Sequence, residues 1–196
     1  MQFNNVENKK IKSTCGGEYF ISRSVAVSIP VIAFNKNNEA FVLISRRGSG
    51  VPDFKGCMNL VCGYLDHNET LVEACKRELY EEVGLDYDSI KPENILYALD
   101  NKNWDIHSTP TGRQNVTVRY GVALKYDSIT DFPQLTNENC EPNEVDDIYW
   151  MRLKDAMEMQ EYTVTANPYK ENIWAFNHYD VIREWISFLN ENGFDL

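Results

Sequence analysis

The 196 residues contain no Cys-x-x-Cys pair, no run of apolar residues long enough to span a bilayer, no internal repeat and no low-complexity tract. The five cysteines, at 15, 57, 62, 75 and 140, have no histidine partners at zinc-ligand spacing, and they read as free thiols in a reducing compartment. The N-terminus is polar and has no apolar signal core, so the expected location is cytoplasmic. Positive charge is also scarce: 19 bases face 30 acids, a formal net charge of −11. That balance repels nucleic acid and anionic membrane at long range. A small phosphate ester is still allowed, because bound divalent cations would invert the local sign.

What remains is a globular composition, 43% hydrophobic and 12% aromatic, in a length that suits one domain. Residues 1–14 are polar and read as a loose segment, and 15–196 as a single domain. A short first strand is expected over 19–22, then a hairpin of strands 25–34 and 40–44 turning on Asn35-Lys36-Asn37-Asn38. Further strands are expected over 94–99, 116–124 and 148–151. A loop, 100–115, joins the first two of these. A short helix is expected over 153–159. Val181, Ile182, Trp185, Ile186 and Leu189 then recur at helical spacing, predicting an amphipathic helix over 179–190 that covers the sheet. His178, just ahead of it, reads as a packing or capping residue.

The most informative stretch is residues 63–85. Thr70 and Glu73 fit a capping box that starts a helix, and Gly84 supplies its stop. Val72, Cys75, Leu79 and Val83 form one stripe toward a core. At about 100° per residue, Glu78, Glu81 and Glu82 share a neighbouring face. Like charges at such spacing repel, so a purely structural helix has little reason to gather them. A hard divalent cation removes the penalty, because it takes carboxylate oxygens and recruits a phosphate as a further ligand. The competing reading is a solvated acidic helix face. Arg77, four residues before Glu81, can pair with it and orient its carboxylate. Gly63 precedes a short loop, where its carbonyl could approach an ion.

Residues 63–85 resemble a complete Nudix box, with Gly63, Glu69, Arg77, Glu78, Leu79, Glu81, Glu82 and Gly84 at the required spacing. The resemblance implies an α/β/α sandwich with a central mixed sheet. It also implies a Mg²⁺- or Mn²⁺-dependent hydrolase of a pyrophosphate bond in a nucleoside diphosphate linked to another group. Carried over, Glu78, Glu81 and Glu82 match the metal ligands, Gly63 the carbonyl ligand and Arg77 the orienting arginine. Arg77 and Glu81 therefore rank as catalytic candidates. Glu69 matches a position of mixed role and ranks below them.

One departure is Cys62, which stands where many members have the first of two glycines and which bears on the loop's dihedral freedom. A space-filling role for it is favoured over a reactive thiol. In the later acidic loop, Glu144 is the candidate for a further metal ligand or the general base, with Glu141 in reserve. An acidic turn capping the next strand is the rival reading. Arg47, Trp104 and Arg113 are the substrate candidates, the arginines for phosphate and the tryptophan for a base.

The favoured substrate is ADP-ribose or a related nucleotide sugar, on the faint likeness of residues 113–120 to ADP-ribose-hydrolysing members. The alternatives are a nucleoside triphosphate pyrophosphohydrolase and a ligand-sensing regulator. The acidic charge and the whole set of carboxylates speak against the regulator. No nucleic-acid or membrane partner is expected, and the family's habit implies a homodimer.

Overall fold

The computed structural model describes residues 9–21, 25–66, 68–109, 115–166 and 173–194. Twelve strands and three α-helices are formed among them. β1 (Lys9–Lys12) and β2 (Glu18–Ile21) pair antiparallel with each other. The segment expected to be loose thus contributes a strand, because pairing satisfies backbone groups whatever the side chains are.

β3 (Val25–Ile29) and β4 (Val31–Phe34) are two strands rather than one, separated by Pro30. A proline interrupts a ladder because it has no N–H to donate. β4 turns into β5 (Ala40–Arg47) at the expected asparagines, with Asn38 in the left-handed region at φ 59°. After the two-residue β6 (Met58–Asn59) comes β7 (Val61–Tyr64), and then the motif helix α1 (Leu71–Val83). β8 (Ile95–Tyr97) follows. The expected loop at 100–115 holds a further strand, β9 (Asp105–Thr109), which pairs with β10 (Asn115–Arg119). The polar side chains of this outer strand hid its alternation.

β11 (Val122–Lys125) continues β10 after a break at Gly121. A Cβ at Gly121 would overlap the indole of Trp185, so this break is where the C-terminal helix packs down on the backbone. β12 (Val145–Arg152), longer than expected, leads directly into α2 (Leu153–Ala166), and α3 (His178–Glu191) ends the fold.

The breaks at Pro30 and Gly121 divide β3 to β12 between two sheets. One has the order β7-β3-β10-β9 and the other β12-β5-β4-β11-β8, with β6 beside β5. The pairs β3 with β10 and β4 with β11 are parallel, and the other pairs are antiparallel.

Two cores follow. α1 buries Ala74, Cys75, Leu79 and Val83 against Val27, Ile29, Val61 and Val118. α3 buries Val181, Ile182, Trp185 and Leu189 against Ile32, Val42, Ile44 and Leu60. The result is the expected α/β/α arrangement with mixed sheets. None of the five cysteines is in a disulfide. Among the described residues no helix is long and apolar enough to cross a membrane.

Candidate active site

α1 begins with the capping box. The Glu73 amide donates to Thr70 Oγ1 at 3.2 Å, and Glu73 Oε2 accepts from the Thr70 amide at 2.7 Å. It ends at Gly84, φ 70°, whose amide returns to the Tyr80 carbonyl. The late acidic loop closes over this end. The Thr136 amide donates to the Val83 carbonyl, Asn139 Nδ2 to the Tyr80 carbonyl, and Cys140 Sγ to the carbonyls of Glu81 and Glu82 at 3.1 and 3.2 Å. These groups occupy carbonyls that a helix end otherwise leaves without partners. They also bring Glu144 to the motif.

Arg77 is the hub. Its Nε and Nη2 grip the Glu69 carboxylate at 2.6 and 2.9 Å, Nη1 reaches Glu78 at 2.6 Å and Glu81 at 3.1 Å, and Nη2 also meets the Tyr64 carbonyl at 2.9 Å. It pairs with Glu81, as the helical spacing suggested, and its bidentate partner is Glu69, eight residues earlier. A fork-on-fork pair is the geometry guanidinium makes best. Against the burial that would raise it, hydrogen bonds from Arg77 and the Asp66 amide hold the Glu69 carboxyl below its usual range. Glu69 is a brace for Arg77 and joins the loop to the helix.

Glu78 and Glu82 are almost fully buried, at 8% and 6% exposure, whereas Glu81 is half-buried. The Glu78 carboxylate lies against the α-carbon of Gly63, and any Cβ there would collide with it. This accounts for glycine at 63. Burial pushes Glu78 up to about 7 in spite of Arg77. Glu82 is raised well above the ordinary carboxylate range, first by burial and then by the charges of Glu78 and Glu144, and its Oε2 has no hydrogen-bond partner. Glu144, half-buried, is raised by burial and by Glu141. Two adjacent buried acids, one with an unpaired oxygen, are unfavourable as anions unless a cation compensates them.

No three acidic, imidazole or thiol groups among the described residues are already converged as a closed cage, since Glu78 and Glu81 both turn to Arg77. The donors nevertheless suit a hard divalent ion of the Mg²⁺ type, which keeps several waters and needs only one or two direct carboxylates. Glu82 with its free oxygen, then Glu78 and Glu81, are the groups that would hold it.

Cys62 sits in extended β7, its thiol beside the Asn59 amide, so the side chain needs no special backbone geometry. Burial first, and then Glu82, push the thiol well up, so it is held protonated.

Arg47 ends β5. Its Nε donates to the Asp53 carbonyl at 3.0 Å, its guanidinium lies 5.2 Å from the Phe176 ring, and its charge acts on Glu82, Cys62 and Glu144. Gly48 and Gly50 donate to the carbonyls of Glu144 and Asn143, both at 2.7 Å, and a Cβ on either would meet Asn143. These glycines lock the Arg47 loop onto the Glu144 loop.

Trp104 is placed elsewhere. It packs on Trp185 at 5.6 Å and Phe188 at 6.2 Å, with Arg119 over the ring. These contacts place it in the α3 aromatic cluster, and none of them involves a motif residue. Arg113 lies outside the described residues. His178 acts as a tether, as expected of a packing residue: its Nδ1 accepts from the Leu60 amide at 3.1 Å, and burial, then Arg47 and Arg119, hold it down to about 3. A groove of about 660 Å³ beside Lys91, Asn94, Lys125 and Tyr126 contains none of the motif residues.

The fold and the acidic helix define an α/β/α phosphoanhydride hydrolase class. The NUDIX domain model matches residues 23–171, and the chain belongs to the Nudix family of pyrophosphohydrolases. Among solved structures, it is similar to the Nudix domain of Shewanella oneidensis NrtR complexed with ADP ribose. That match has a TM-score of 0.57 and 20% identity over 87% of this chain and 90% of that one. It is also similar to a mutT/nudix family protein from Listeria innocua, with TM-score 0.56 and 15% identity over 86% and 95% of the two chains. For the C. elegans Ap4A hydrolase binary complex the TM-score is 0.53, with 15% identity over 86% and 98%. No curated protein matches the chain.

Proposed function

We propose that the chain hydrolyses the pyrophosphate bond of ADP-ribose or a related nucleotide sugar with Mg²⁺ or Mn²⁺. The observation that carries this reading is the pair of buried acids, with Glu78 against Gly63 and Glu82 Oε2 unpaired beside the charges of Glu78 and Glu144. Divalent ions bound there would neutralise charge on two phosphoryl groups and polarise a water. Glu78, Glu81 and Glu82 hold the ions, and the Gly63 carbonyl is available as a further oxygen. Arg77 keeps Glu78 and Glu81 in place, and Arg47 meets a phosphate oxygen.

Glu144 accepts the proton of the attacking water. The water oxygen bonds to one phosphorus as the anhydride P–O bond breaks, leaving two phosphate monoesters. Burial of Glu144 raises its basicity toward neutral pH, which suits a general base. The choice of a nucleotide sugar over a triphosphate rests on the likeness of residues 113–120, and the ADP ribose held by the NrtR Nudix domain is consistent with it.

The test is product analysis over ADP-ribose, nucleotide sugars, dinucleoside polyphosphates and triphosphates, with each metal and with EDTA. Metal-dependent release of AMP from ADP-ribose is expected. Binding of ADP-ribose without cleavage would instead favour a ligand sensor, and cleavage of triphosphates alone would overturn the substrate choice.

A further inference from the structure

Among the described residues, five non-glycine residues have positive φ, and three are asparagines, which tolerate the left-handed region. The other two are Phe54, φ 53°, and Phe176, φ 52°. A bulky side chain there is strained, and such strain persists where the surroundings enforce it, often at ligand sites.

These two residues, 122 positions apart, are in contact, with ring centroids 4.7 Å apart and planes tilted 56°. Phe176 remains 42% exposed. Its position is fixed from both sides. Met58 and residues 173–175 exchange backbone hydrogen bonds of 2.7 and 2.8 Å, and His178 holds the Leu60 amide. Phe54 is carried by a loop that folds back on Arg47, whose amide and carbonyl bond Cys57 and Gly56. The Arg47 guanidinium lies over Phe176 and within electrostatic reach of Glu82 and Glu144. An exposed aromatic face is thus joined by one arginine to the acidic centre.

We propose that Phe54 and Phe176 form an aromatic platform for the nucleobase of the substrate, with Arg47 binding the adjoining phosphate. This deepens the nucleotide reading above and rests on it for the orientation of the ligand. Every base offers a π-face, so stacking here selects for a nucleoside and says little about which base. Arg47 also lends its charge both to the ring and to a phosphate oxygen, which sets the spacing between base and anhydride.

The test uses AMP and ribose 5-phosphate, which differ only in the base and carry no anhydride to be cleaved, with binding measured by calorimetry on the full chain. The wild type should bind AMP at least about fivefold more tightly than ribose 5-phosphate. Phe54→Asn and Phe176→Asn keep a residue suited to positive φ but remove the ring. Each should cut AMP affinity by about fivefold or more, leave ribose 5-phosphate unchanged and not lower the melting temperature. Phe176→Tyr should retain AMP binding.

Equal binding of the two ligands by the wild type, or an AMP preference that survives both asparagine variants, overturns the platform. Asparagine variants that weaken both ligands alike and melt lower would show that the ring pair is only structural, and would overturn it too. Because no hydrolysis is read, a chain that binds AMP as described but cleaves no pyrophosphate would refute the catalytic reading alone.

Discussion

Glu82→Gln should stabilise the metal-free protein while abolishing its response to divalent cations. In the structure Glu82 is 6% exposed, lies beside the charges of Glu78 and Glu144, and has one oxygen without a partner. Leaving a buried polar group unsatisfied costs about 1–3 kcal/mol, more for an ion. The neutral isostere removes the charge and preserves the shape. For a domain of this size each kcal/mol moves the melting temperature by about 2–4 °C, so a gain of about 2–12 °C is expected at pH 8 in EDTA.

The sign depends on pH. Burial raises the folded-state affinity of Glu82 for its proton above the ordinary value of 4.5. The folded protein therefore binds more protons than the unfolded chain once pH exceeds that value, and stability falls as pH rises. Below about pH 4.5 both states hold the proton, and the variant should show little advantage. The advantage should grow upward through neutral pH. Mn²⁺ should raise the melting temperature of the wild type at pH 8 and leave the variant nearly unmoved, since preferential binding to the folded state is what stabilises. Thermal melts at pH 4.5 and 8, with EDTA and with Mn²⁺, read all four cases. A variant that melts below the wild type at pH 8, or a difference that does not change with pH, refutes the argument.

Other outcomes follow from the same geometry. Arg77→Met leaves Glu69 and Glu78 without their guanidinium and should cost about 3–5 kcal/mol in a denaturant titration, with turnover lost. Gly121→Ala drives a methyl into the Trp185 indole and should destabilise by about 1–3 kcal/mol, read from the shift of the unfolding midpoint. Cys140→Ala removes the thiol contact to the Glu81 and Glu82 carbonyls, and a loss of about 0.5–1.5 kcal/mol is expected by calorimetry. Cys62→Ala should leave metal-dependent turnover within about twofold, because the thiol is held protonated by burial; a larger loss in a phosphate-release assay would give it a role.

Local order alone determined the motif helix, because the capping box, the apolar stripe and the carboxylate face are set by a 3.6-residue period that chain neighbours share. The same holds for the α3 stripe and the asparagine turn between β4 and β5. The substitution of one strand by two at Pro30 was also local chemistry, but the apolar run on either side masked it.

What tertiary structure decided involves partners far apart in sequence. Arg77 takes Glu69 as its fork because the loop returns to the helix flank. Cys140 reaches the end of α1 across 59 positions to Glu81. Gly48 and Gly50 matter because a loop nearly a hundred residues later presses on them. Trp104 was drawn into the α3 cluster, where ring contacts outweigh exposure. Phe54 and Phe176 carry no periodic or motif signal at all. Their meeting depends on the bridge from Met58 to Trp174 and on His178, so only the folded backbone brings them together. Spacing along a chain reports the hydrogen-bond geometry of one element, whereas burial, charge pairing and close approach are properties of the elements once packed.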